Sequence, residues 1–203
     1  MMQSQPASST PTTQKPIVLW CHPRSVSSAF ERAFMQRSEF KCLHEPYGNP
    51  FYYNLSERIS RRHTDEEIKR DHRDKMDITY GQITRRIITP TADGKQIFSK
   101  DMAQYIVNDK GEVIILNDDL EKMHHVFLIR SPKLACPSYY RCCVGDAINE
   151  TNFSHYDPAE AGYHELRVLF DHIRRHGING SNAVLVIDAE TLTANPEETL
   201  KYV

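Results

Sequence analysis

The chain has 203 residues, 39% of them hydrophobic and 26% charged, with a formal net charge of -2. That length suits one domain with a full core, and the near-neutral balance removes any whole-chain electrostatic case for nucleic acid, so an anion site has to be local. No apolar run is long enough to cross a bilayer as a helix.

Residues 1–16 are rich in Ser, Thr, Gln and Pro and are expected to form a disordered leader. The stretch Ile17 to Phe34 then passes from an apolar run, through His22-Pro23, into a helical pattern, which predicts a strand, a tight loop and a helix start. The loop carries Arg24, Ser25, Ser27 and Ser28, donors able to converge on an oxyanion at the positive end of a helix. A plain reading is also open, in which a Ser simply caps the helix.

Phe40 to Glu45 suits a short buried strand closed by Pro46 and Gly48, leaving His44 and Glu45 at its carboxyl end. From 54 to 86 the chain is dense in charge with sparse apolar positions, and 46–94 reads as a helical insertion or lid. Lys95 to Asp101 is the next strand, with Lys100 near its end and a helix expected through Tyr105.

His125 to Arg130 is a further buried strand, stopping at Ser131 as a cap with Pro132 in the first turn of a helix. Pro137 falls inside that helix and is expected to kink it. A helix is expected over Pro158 to His176, ended by Gly177, then a fifth strand over Ala183 to Asp188 and a last helix opened by Asn195-Pro196. His172 and His176 lie one turn apart without the H-E-x-x-H pattern, so no metal is expected.

Five apolar strands separated by helical stretches indicate an α/β fold, a three-layer parallel sheet with helices on both faces, over 17–203. Parallel strands with right-handed crossovers bring Arg24, Glu45, Lys100 and Arg130 to one sheet edge, where such folds bind ligands. The five cysteines, Cys21, Cys42, Cys136, Cys142 and Cys143, give neither a disulfide framework nor a zinc spacing, which points to a reducing, cytoplasmic setting.

Four segments, His22 to Phe30, Phe127 to Tyr140, Val186 to Leu200, and the pair His44-Glu45-Pro46 with Ser99-Lys100-Asp101, resemble the sulfotransferases that use 3′-phosphoadenosine 5′-phosphosulfate. The resemblance implies a P-loop NTPase-like sulfotransferase fold and sulfuryl transfer to the hydroxyl or amine of a small-molecule acceptor, with no nucleic acid or membrane partner. It implies that Arg24, Ser25, Ser27 and Ser28 hold the 5′-phosphosulfate, and that Arg130 and Ser138 hold the 3′-phosphate. It also implies Lys100 near the transferring group and Glu45 as general base. His44 is the second candidate base, since strand neighbours point to opposite faces. The family pattern continues beyond Leu200 into a basic, Gly-containing segment, so the resemblance implies that the chain is C-terminally incomplete. The loop lacks a family Gly, and Val26 there requires backbone geometry that a branched residue accepts. Two alternatives stay open: a P-loop kinase or hydrolase, although no G-K-S/T is present, and a catalytically degenerate binding protein.

Overall fold

The computed structural model describes residues 14–148, 153, 155–178, 180 and 184–203. Most of the expected leader and Ala183, the expected start of the fifth strand, lie outside the described residues. Five strands, β1 (Ile17–Cys21), β2 (Phe40–His44), β3 (Gln96–Met102), β4 (His124–Ile129) and β5 (Leu185–Asp188), form one all-parallel sheet in the order β2-β3-β1-β4-β5.

All five residues of β1 are buried. Alternate side chains point to opposite faces, so helices have to cover the sheet on both sides at its centre. The chain steps from β1 to β2 in one direction and from β3 to β4 in the other. Right-handed crossovers therefore send the first helix and the later ones to opposite faces, which makes the end of β1 the topological switch point.

Helix α1 (Ser27–Met35) packs Phe30 and Phe34 on the sheet, with Phe34 stacked on Phe98 at 4.0 Å between ring centroids. On β1, Trp20 is fully buried and donates from Nε1 to His125 Nδ1 at 2.8 Å. That bond fixes the other ring nitrogen of His125 as the one bearing the proton, donated to Leu120 O at 2.9 Å.

The expected insertion holds α2 (Gly48–Tyr53), α3 (Asp65–Asp71) and α4 (Tyr80–Ile88). Thr64 and Thr79 each form a reciprocal capping box, which fixes where the last two begin. Helix α4 buries Tyr80, Ile83, Thr84 and Ile87 against the core, so this part of the insertion belongs to the body of the protein.

Two local expectations are corrected. A 3-10 turn, Ala103–Ile106, stands where a helix was expected through Tyr105, and an isolated antiparallel bridge, Val107 to Val113, follows it. The helix predicted over 158–176 is interrupted at Gly162, whose φ of 74° ends a 3-10 turn (Pro158–Ala161) before the helix Tyr163–Arg175 begins. After β4, Ser131 is the N-cap of the helix Pro132–Cys142 with Pro132 in its first turn, as expected, but its side chain makes no cap bond.

Candidate functional site

The loop after β1 owes its shape to two left-handed residues that are not glycine, Arg24 at φ 65° and Val26 at φ 70°. For a branched side chain this conformation costs on the order of 1–2 kcal/mol. The expectation that Val26 would have geometry suited to a branched residue is therefore overturned. The strain turns the chain sharply enough for α1 to begin at Ser27, and no side chain caps that helix start. The plain reading of the serines as caps does not hold in the structure.

Ser25 is fully buried, and its Oγ has no hydrogen-bond partner among the described residues. A buried orphan hydroxyl costs about 1–3 kcal/mol, a cost that a bound acceptor would relieve. Ser27 and Ser28 line a cavity of about 410 Å³ at the carboxyl edge of the sheet, together with Arg24, Glu45, Lys100 and Arg130. The sheet edge brings these six residues, named from the sequence, around one space.

Ser138 reaches this group through Arg24, whose Nε donates to Ser138 Oγ at 3.0 Å. The Arg130 guanidinium donates from Nη1 to Arg24 O at 3.0 Å and lies 3.7 Å from Glu190. The Arg130 amide donates to His22 Nε2 at 3.0 Å, so the His22 proton sits on Nδ1 and is donated to Pro23 O at 3.0 Å. Tyr163 packs on His22 in a tilted arrangement with centroids 4.1 Å apart and donates from its hydroxyl to Arg130 O at 3.0 Å. The two loops of the edge are thus bolted to each other through His22.

Burial pulls both His22 and His125 down to about 4. Both rings are neutral in the fold, while the unfolded chain has ordinary imidazoles titrating near 6.5. The unfolded state binds more protons between these values, so stability is intact above about pH 6.5 and falls as pH drops toward 4. Urea unfolding midpoints at pH 7 and pH 5 are expected to differ in that direction; equal midpoints would show that the two rings protonate freely within the fold.

Glu45 takes a left-handed φ of 45° immediately after β2. Strand alternation therefore stops at this residue, and the expectation that His44 and Glu45 point to opposite faces is overturned. The Glu45 carboxylate pairs through Oε1 with the Lys100 ammonium and accepts from Tyr105 hydroxyl on Oε2 at 2.8 Å. His44 Nε2 lies 3.7 Å from the same Oε1, and His44 Nδ1 is 2.7 Å from Glu31 Oε2.

Only 1% of the Lys100 side chain is exposed. Burial works against its charge, but the Glu45 carboxylate beside it, with Glu31 further off, outweighs this and holds the ammonium above the ordinary lysine range. Cys21 is buried beside this group, and burial raises its thiol to about 12, so it is a neutral donor to Asp101 O at 3.3 Å.

The opposite wall was not read from the sequence. Arg62 and Glu160 form an ion pair whose side chains are only 4% and 9% exposed, and burial of the guanidinium is outweighed by that carboxylate, so its pKa is raised. Tyr139 donates to Glu160 Oε2 at 3.2 Å, and Arg62 lies 5.3 Å from the centre of the Phe153 ring. Tyr52, Tyr105, Tyr139 and Phe153 make this side of the cavity aromatic. Their signal was present as scattered aromatics and one acid after Pro158, without any spacing to join them.

A larger space of about 930 Å³ lies between Leu55 and Lys110. It is an open groove in which both arginines are already paired, Arg58 with Asp65 at 2.6 Å and Arg61 with Asp109 at 2.7 Å. The smaller cavity, lined by Arg24, Ser27, Ser28, Lys100 and Arg130, gathers the donors at the sheet edge and is the candidate site.

No family model matches the chain. It is 26% identical over 183 residues to branched-chain-amino-acid aminotransferase-like protein 2 of Arabidopsis thaliana, a match that takes in 90% of this chain. The chain spans only 28% of that relative's length. Among solved structures it resembles the sulfotransferase domain from the curacin biosynthetic pathway, with 14% identity and a TM-score of 0.44 over 94% of this chain and 73% of that one. A sulfotransferase domain from the Synechococcus PCC 7002 olefin synthase gives the same identity and TM-score over 99% of this chain and 75% of that one.

Proposed function

We propose that the cavity at the end of β1 is a donor site for sulfuryl transfer, binding 3′-phosphoadenosine 5′-phosphosulfate and passing its sulfuryl group to the hydroxyl or amine of a small molecule. One observation carries the reading: the buried orphan hydroxyl of Ser25 sits behind an uncapped helix start, in a loop whose Arg24, Ser27 and Ser28 line a cavity shared with Lys100 and Arg130. That donor set suits an anion of more than one charge.

In this reading Arg24, the loop amides and the three serines bind the 5′-phosphosulfate. Arg130 and Ser138 bind the 3′-phosphate, and Ser138 also steadies Arg24 by accepting from its Nε. A sulfuryl group in flight, like a phosphoryl group, needs little covalent help, so positioning and charge dominate. Lys100 faces the charge that develops on the group being transferred. Glu45 takes the acceptor's proton, since each of its oxygens has a lone pair beyond the bonds to Lys100 and Tyr105.

Arg130→Ala is expected to weaken binding of adenosine 3′,5′-bisphosphate by at least tenfold, the worth of about one charged hydrogen bond. Calorimetry on the wild-type and variant chains checks this, and equal affinities would remove Arg130 from the 3′-phosphate. Failure of adenosine 3′,5′-bisphosphate to bind the wild-type chain, or to raise its thermal midpoint, would remove the reading as a whole.

A second reading, a protein that binds the nucleotide without transferring from it, is favoured by the pairing of Glu45 with Lys100, which engages the candidate base before any acceptor arrives. Binding of the bisphosphate with no sulfation of any hydroxyl or amine compound would select it.

A further inference from the structure

We propose that Glu31 and His44 form a proton relay that carries the acceptor's proton from Glu45 out to solvent, with Glu31 as its positioning residue. This rests on the sulfuryl-transfer reading and adds a role for two residues placed side by side by the fold. The geometry is a line of three groups. Glu45 lines the cavity; His44 does not, and its side chain is 63% exposed. Glu31, on α1, is 4% exposed, and its Oε2 is 2.7 Å from His44 Nδ1. His44 Nε2 is left facing Glu45 Oε1 at 3.7 Å, a gap that a small rotation of the exposed ring or one bridging water closes.

Sequence spacing alone forbids this line, because adjacent strand residues diverge. The left-handed turn at Glu45 permits it, and a residue spends strain of this kind only where the surrounding structure fixes it. A buried carboxylate behind an imidazole selects the tautomer and stabilises the imidazolium when it forms. The charged groups facing His44 are Glu31 from α1, Glu45 from its own turn and Lys100 from β3. The hydrogen bond to Glu31 is the largest influence on the ring and raises its pKa above 6.5, against burial and Lys100.

The step balances within the proposed reaction. The acceptor's O–H or N–H bond breaks, and its electron pair takes the sulfuryl group. The S–O bond to the donor breaks, leaving its pair on adenosine 3′,5′-bisphosphate. The proton goes to Glu45, then to His44 Nε2, and from the exposed ring to bulk water, which returns Glu45 to its carboxylate.

Two measurements on the full chain test this separately from donor chemistry. By NMR titration, the His44 midpoint is expected above 6.5 and should move down in both Glu31→Gln and Glu45→Gln. An unmoved midpoint in either variant breaks the line at that residue. With any compound that the wild-type chain sulfates, Glu31→Gln is expected to lower kcat on the order of tenfold, less than loss of the base itself, without changing donor binding. Turnover should rise with pH through the His44 midpoint, and that rise should shift to lower pH in Glu31→Gln. His44→Ala should lose turnover and regain part of it with added imidazole. An unshifted pH profile, or no response to imidazole, overturns the relay while leaving bisphosphate binding, and with it the donor-site reading, intact.

Discussion

Glu45→Gln is expected to lower turnover by roughly 10²–10⁴ while leaving adenosine 3′,5′-bisphosphate affinity unchanged. The substitution keeps the side chain's volume and one acceptor oxygen, so Tyr105 or Lys100 retains a partner. It removes the group that can take a proton. The Lys100 ammonium also loses the carboxylate that offsets its burial, so its pKa should fall. Rates measured across pH separate the two effects. Loss of the base lowers the rate at every pH, whereas a weakened Lys100 adds a decline only where that lysine deprotonates. Full turnover in the variant would make Glu45 a counter-ion for Lys100 and nothing more.

Glu160→Ala is expected to cost roughly 3–5 kcal/mol of folding stability, because it strands a buried guanidinium. Arg62 has little water to turn to, since its side chain is 4% exposed, and what remains near it is the Tyr139 hydroxyl at 3.4 Å, the His155 carbonyl oxygen at 3.4 Å and the Phe153 ring. Replacing both partners, Arg62→Leu with Glu160→Leu, should recover most of the loss, since a desolvated ion pair contributes little more than apolar side chains of similar size. Denaturant unfolding of the single and double variants checks the contrast. A double variant no more stable than Glu160→Ala would show that the carboxylate matters through Tyr139 rather than through Arg62.

The sheet was legible because a parallel sheet covered on both faces needs uninterrupted apolar strands, and β1 and β4 are written that way. Its edge was legible for the same reason: charge gathers at or just past the carboxyl ends of β1, β2, β3 and β4, at Arg24, Glu45, Lys100 and Arg130. Periodicity failed where backbone conformation departs from the ordinary. Val26 and Glu45 carry no glycine to announce a positive φ, so the turn that joins His44 to Glu45 could not be read. Gly162 did carry the signal, but it sat within a pattern that otherwise favoured an unbroken helix. Its missing Cβ lets Gln104 approach, and an added one would also lie 3.3 Å from His22 and Pro23. The Arg62–Glu160 wall was invisible because nothing local links residues so far apart.

That separation bears on how the protein is made. Arg62 meets Glu160 across 98 positions, Arg24 meets Ser138 across 114, and Glu45 meets Lys100 across 55. Closing such loops costs entropy before any contact rewards it. During synthesis the three strands β2, β3 and β1 can pair once residue 102 has left the ribosome, whereas the cavity has no second wall until residue 160 follows. Until then Tyr52 and Tyr105 lack Tyr139, Phe153 and Glu160, which complete their side of the cavity, so this is the interval in which a chaperone would have something to hold.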